Sequence, residues 1–232
     1  MKQYLFETKS YHEKKYKELG YSFQRKLPNE DIIRFTVKYL KKKSKILDIG
    51  CGTGRNAIYL IELNHTVDCL DFSENGINLL KLLFKKKKIS KIKNNLIIDS
   101  IPLIKKVSKN YDAIIDCFTS YSLIKEDFQE YIKKIASKIK KKGVFHLQIL
   151  SKKSHLYRFF QPSKIIKNNS VHRILRKSAP FYGDEYLFTF YSKNELTKIL
   201  NKSFSKVNIE THSRSYRNSK EYLEFFVIDC IK

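Results

Sequence analysis

A cluster of glycines sets the tightest limit on how this chain can fold. Of seven glycines in 232 residues, three fall in one pentad, Gly50-Cys51-Gly52-Thr53-Gly54. An apolar run, Lys45–Ile49, leads into it, and a stretch of helical character, Arg55–Leu63, leads out. A strand must therefore turn at once into a helix while its backbone stays open to close approach. Glycine reaches positive φ at little cost and carries no Cβ to obstruct a ligand. One or two glycines suffice for a bare strand–helix turn. Three together, in so glycine-poor a chain, point to a bound ligand. A dinucleotide fingerprint, G-x-G-x-x-G, would need glycine at position 55, where the chain has Arg55.

Around the pentad, strands and helices alternate. Residues 4–19 predict a helix with a polar face, and Leu27-Pro28-Asn29-Glu30 opens a second one. Thr66–Leu70 reads as a strand, Ser73–Phe84 as a helix capped by Ser73, and Asn95–Ile98 as a strand. Tyr111–Cys117 is apolar enough for a buried parallel strand. Glu126–Lys140 has helical spacing, and Gly143–Leu150 is strand-like. Such β-α-β-α order implies a parallel sheet wrapped by helices. The rhythm breaks over 151–191. Ser192-Lys-Asn-Glu195 then forms a capping box. Two final strand-like runs, Phe204–Thr211 and Glu221–Ile231, are too close for a helical crossover and should pair antiparallel.

Strand tips supply the remaining candidates. Asp71 ends the second strand, 17 residues after Gly54, where a carboxylate can accept both hydroxyls of a ribose. Its bland reading is a helix-start residue. At the third tip, Asp99-Ser100 can reach an adenine amino group or simply close a turn.

With these residues in place, the chain resembles a class I S-adenosylmethionine-dependent methyltransferase. The resemblance rests on Ile46–Gly54, Asp71, Asp99, the stretch Tyr111–Tyr121 and the turn at Lys141-Lys-Gly. Arg55-Asn56 resembles the tellurite-resistance-like branch. That resemblance implies a Rossmann-like, doubly wound α/β fold of seven strands, order 3-2-1-4-5-7-6, with the last strand antiparallel. It implies S-adenosylmethionine as cofactor. It places Asp48 near the methionine end, with Gly50, Gly52 and Gly54 beneath the cofactor. Asp71 would hold the ribose, Phe72 flank the adenine and Asp99 bind its amino group. Asp116 and Cys117 would lie beside the methionine, although relatives often have Asn at the position of Asp116. Residues 1–41 are then N-terminal helices, 42–232 the methyltransferase domain, and 151–191 a substrate lid.

Methyl transfer asks the protein mainly to align the acceptor and exclude water. No decisive base stands out. Tyr121, His155, His172 and Tyr182 are the candidates, each equally readable as an ordinary exposed or packing residue. The Gly183-Asp184-Glu185 turn is similar, and His146 reads as a core residue of strand five. The Asn-Pro-Pro-Tyr type of motif used by nucleic-acid base N-methyltransferases is absent after strand four, where Phe118-Thr119-Ser120-Tyr121 stands.

The formal charge of +24 invites a nucleic-acid reading. Yet basic residues are 39 Lys against 8 Arg, and Ile, Lys, Asn, Phe and Tyr supply 111 of 232 residues, a bias that A/T-rich coding produces regardless of function. Both sources of charge stay open. Four lysine clusters, within 41–45, 85–93, 105–109 and 133–142, lie just before strands, on the edge opposite the expected cofactor. The lid carries a net +6, which favours an acidic acceptor. The reading is a methyltransferase for a small molecule, with an acidic one favoured. The alternatives are an RNA or protein methyltransferase and a non-catalytic cofactor-binding protein. Four scattered cysteines offer no CxxC pair or metal cluster, and no apolar run reaches the ~18 residues of a membrane span. The expected home is the cytoplasm. Oligomeric state is not encoded in any feature above.

Overall fold

The computed structural model describes residues 2–90, 94–166, 169–175, 177, 181, 183–216 and 220–232. Helix α1, Gln3–Leu19, runs into a 3₁₀ turn, Gly20–Phe23, and α2, Glu30–Tyr39. There follow β1, Lys45–Ile49; α3, Arg55–Glu62; β2, Thr66–Asp71; α4, Glu74–Lys86; β3, Leu96–Ile98; and β4, Tyr111–Cys117. Helix α5, Lys125–Lys138, leads into β5, Ile139–Leu150.

Beyond β5 come α6, His155–Arg158; three short strands, β6, Lys164–Ile166, β7, Ser170–His172, and β8, Leu187–Thr189; and α7, Lys193–Leu200. Strands β9, Lys206–Tyr216, and β10, Glu221–Ile231, close the chain. The main sheet has the order β3-β2-β1-β4-β5-β10-β9. Strands β1 to β5 are parallel, and β10 runs antiparallel to β5 and to β9. With β9 and β10 counted as sixth and seventh, this is the expected Rossmann-like sheet.

Period-two alternation divides two cores. In β1, Leu47 and Ile49 face the layer of α5 and α7, with Phe128, Ile132, Leu196 and Leu200. Ile46 faces Ile32 and Phe35 of α2, Ala57 and Leu60 of α3 and Leu80 and Phe84 of α4. Each fully buried side chain of this size contributes about 1.5–3 kcal/mol against exposure.

Local rules place the helix starts. The Ser73 hydroxyl accepts from the Gly76 amide at 3.0 Å, and Ser192 and Glu195 complete the expected capping box. Helix α5 stops two residues short of the sequence boundary. Ile139 already pairs with Tyr111, and Lys142 turns the strand at φ 64°. Strand β9 runs on to Tyr216, because β10 offers it a partner along its whole length.

The 151–191 region is not wholly irregular. It folds into the small antiparallel sheet β6-β7-β8. Its strands are three residues long, too short to show a period in sequence. Among the described residues, no helix is long and apolar enough to cross a membrane.

Candidate functional site

A cavity of about 570 Å³ opens at the C-terminal tips of β1, β2 and β4. That is within the ~300–1,000 Å³ of small-molecule clefts, and at the sheet edge where such folds bind ligands. Its strand-tip wall includes Gly50, Cys51, Asp71, Phe72, Asp99 and Cys117.

The pentad has the expected backbone, with Gly50, Gly52 and Gly54 at φ 66°, 52° and 88°. A Cβ, however, would meet the protein itself. At Gly50 it would fall 2.0 Å from Thr119 Oγ1, at Gly52 2.2 Å from Gln24 Nε2 and at Gly54 2.3 Å from Leu80 Cδ1. The glycines thus make room for three packed side chains as well as for left-handed turns.

Two strand-tip carboxylates tie loops together. Asp71, buried, accepts from the Gly52 amide at 2.9 Å and the Ser73 amide at 2.8 Å. Burial raises its carboxyl to about 6, against the pull of those amides. It therefore joins the two loops and lines the cavity at once. Asp99 accepts from the Ser100 and Lys106 amides, both at 2.8 Å. It closes its own turn while lining the cavity, and Ser100 is not in the wall.

Asp116 is fully buried and outside the wall. It accepts from the Thr119 and Ser120 amides and from the Tyr131 hydroxyl, holding the loop after β4. Asp48 lies beneath the turn, with Oδ2 buried and unpartnered. Burial raises its carboxyl to about 8, against the pull of Arg55.

Among the described residues, Tyr121 is the one candidate base in the wall, and its hydroxyl meets that of Tyr186 at 2.5 Å. The ring of His155 packs edge-on against Tyr222, and its Nδ1 accepts from the Tyr222 amide at 3.3 Å. His172 Nε2 pairs with Glu7 at 3.0 Å. Neither histidine lines the cavity. Tyr182 lies outside the described residues. His146 is buried in β5 with Nδ1 on Asp229 at 2.8 Å, a core residue as expected.

The opposite wall is unforeseen. Thr8, His12 and Tyr16 of α1, with Phe23, Gln24 and Arg25, line the cavity, so the segment before residue 41 is part of the site. Gln24 accepts from the Thr53 amide at 3.0 Å. Glu13 accepts from the Ser73 hydroxyl and from the Glu74 and Asn75 amides, capping α4 from a distant helix. Nothing local marks Glu13 or Gln24 in sequence.

Phe181, Asp184 and Tyr186, from the expected lid, complete the wall. The Tyr11 hydroxyl donates to Asp184, which joins α1 to that segment. Below, Asn29, Asn56, Gln148 and Asp31 form a buried polar network, with Gln148 Nε2 donating to Asp31 at 2.6 Å.

A model of the tellurite resistance protein TehB matches residues 5–158, well over half of the chain. The chain belongs to the TehB family. Over 92 residues it is 34% identical to a Haemophilus influenzae protein described as a probable S-adenosyl-L-methionine-dependent methyltransferase TehB. The match covers 38% of this chain and 30% of that protein, so the chain spans under a third of its curated relative.

The crystal structure of TehB from Haemophilus influenzae superposes with a TM-score of 0.62 at 20% identity, over 97% of this chain and 67% of that one. A S-adenosylmethionine-dependent methyltransferase of Methanosarcina mazei gives 0.69 at 19%, over 88% and 98%. The 1,6-didemethyltoxoflavin-N1-methyltransferase of Burkholderia thailandensis, solved with 1,6-didemethyltoxoflavin and S-adenosylhomocysteine, gives 0.61 at 15%, over 88% and 77%. These likenesses, all under 25% identical, carry the fold alone.

Proposed function

We propose that this TehB-family chain is a S-adenosylmethionine-dependent methyltransferase whose acceptor is a small molecule bearing an anionic group. The observation that carries the reading is Asp48. Its carboxyl is buried behind the cavity wall with one oxygen unpartnered, within the electrostatic reach of Arg55, which lines the cavity. A guanidinium at the wall with a carboxyl behind it suits the zwitterionic end of an amino-acid cofactor. Burial lowers the Arg55 guanidinium from its ordinary value, and the Arg25 charge pulls the same way, so an incoming carboxylate would relieve both. On this reading Asp71, Phe72 and Asp99, which line the cavity together, take the ribose and the adenine.

The bound cofactor supplies an electrophilic methyl group. The chain's own part is positional. Asp71 orients the nucleoside, Asp48 and Arg55 fix the other end, and α1 with Phe181 and Tyr186 excludes water. The lysine clusters support the small-molecule reading over a nucleic-acid one. They precede β1, β3, β4 and β5, whose starts lie on the edge away from the cavity.

Millimolar S-adenosylmethionine or S-adenosylhomocysteine should raise the melting temperature, because ligand binds the folded state. Stabilisation by NADH and by neither sulfur nucleoside would overturn the assignment. Transfer of a labelled methyl group into a metabolite extract then separates an enzyme from a binding protein.

A further inference from the structure

Beyond the cofactor end, the cavity is walled by rings. Phe118 and Phe225 pack edge-to-face at 5.1 Å, and Phe118 approaches Tyr121 at 6.4 Å. Tyr121 and Tyr186 lie 6.2 Å apart, their hydroxyls bonded to each other. Phe181 lines the same wall, 37% exposed. Adenine recognition needs one flanking ring, Phe72, so this second group is left for the acceptor.

The cavity wall carries both signs of charge, and among the described residues its guanidinium groups are left without an ion-pair partner. Its four carboxylates are all engaged: Asp31 by Gln148, Asp71 by two amides, Asp99 by two amides and Asp184 by Tyr11. Among the described residues, Arg25, Arg55 and Arg214 line the cavity without a carboxylate ion pair. Arg55 and Arg25 stand by the pentad. Arg214 stands at the other end, on β9, opposite Leu223 and two residues from the partner of Phe225. Rings favour a flat π-face by stacking and edge contacts, and a guanidinium fork favours a planar anion.

We infer that the acceptor is a planar aromatic acid, its ring held among Phe118, Phe225, Tyr121 and Tyr186 and its anionic group turned to Arg214. This rests on the methyltransferase reading for the site but is tested without turnover. Calorimetry on the full chain, with and without S-adenosylhomocysteine, should be run with 2-naphthoate, 4-hydroxybenzoate, cyclohexanecarboxylate, phenol and choline. The aromatic acids should bind at least tenfold tighter than cyclohexanecarboxylate, which keeps the charge, and phenol, which keeps the ring.

Arg214 is exposed, so Arg214→Met should fold. It should weaken 2-naphthoate at least tenfold and phenol less than threefold. Phe118→Leu should remove the preference for 2-naphthoate over cyclohexanecarboxylate. Equal binding of ring and ringless acids, tighter binding of choline, or an indifferent Arg214→Met would overturn the inference. Aromatic-acid binding without S-adenosylhomocysteine binding would break the cofactor reading alone. Nucleoside binding with no aromatic-acid preference would break this inference alone, and binding of neither would break both.

Discussion

The two walls of the cavity are built by different means. The strand-tip wall is held by short connections. Asp71 reaches Ser73 two residues on and Gly52 nineteen back, Asp99 reaches Ser100, and Asp116 reaches Thr119. The covering wall is held by long ones. Tyr11 and Asp184 are 173 residues apart, Glu7 and His172 are 165 apart, and Glu13 spans 60 to reach Ser73. Once the sheet forms, the first wall is largely in place. The second exists only when distant segments meet, through bonds that are part-buried or exposed among the described residues. Segments of that kind open at low free energy. On the proposed reading, cofactor recognition would rest on the rigid wall, and access on the covering one.

The largest expected effect tests the rigid wall. Gly52→Val should weaken S-adenosylhomocysteine more than 100-fold while circular dichroism stays native. A β-branched residue is strained at φ 52° and collides with Gln24. Adding Gln24→Ala removes the collision and leaves the backbone strain, so affinity should stay at least tenfold below native. Full recovery would mean that the covering wall, not the turn, sets affinity.

Next is Asp71→Ala, which should weaken the nucleoside at least tenfold and cost about 2 kcal/mol of stability, because two buried amides lose their acceptor. A stability loss with unchanged affinity would make Asp71 purely structural.

A smaller effect concerns pH. The carboxyls of Asp48 and Asp71 are raised to about 8 and about 6, so the folded protein binds protons that the unfolded chain has released. Unliganded stability should therefore fall as pH rises from about 4 to about 8. Asp48→Asn should flatten that slope between pH 6 and 8.5. It should also add about 1 kcal/mol or more at pH 8.5, since each tenfold change in proton affinity between the folded and unfolded states is worth ~1.4 kcal/mol. An unchanged slope in melts at several pH values would show Asp48 ionised in the free protein.

The smallest effect probes the covering wall. Tyr11→Phe should lower the opening free energy of α1 by about 1 kcal/mol, read as faster amide exchange in that helix. S-adenosylhomocysteine affinity should change less than threefold. A larger loss of affinity would make α1 part of the recognition surface and erase the distinction between the walls.

Much of the first wall can be read from residue order. Glycine spacing dictates a turn because only certain φ values let a strand become a helix there. Apolar periods of 2 and 3.6 dictate the elements, and short connections between parallel strands dictate crossovers and hence the sheet. Asp71 and Ser73 are legible because each acts within a few positions of where it stands. The same locality explains what is hidden. Asp116 looks like a ligand contact at a strand tip, yet its carboxylate is spent on Thr119, Ser120 and Tyr131. His155 and His172 look available in sequence and are taken up by Tyr222 and Glu7.

The alternating elements, the parallel crossovers and the glycine turn are set by backbone sterics and short-range periodicity, and the strand order is what the family resemblance implied. Tertiary structure alone decided that Gln24 would fill the space over Gly52, that Glu13 would cap α4 and that Tyr11 would meet Asp184. Those contacts join segments with no shared period or spacing, and only the packing of α1 and the 170–188 segment over the strand tips brings them within hydrogen-bond reach.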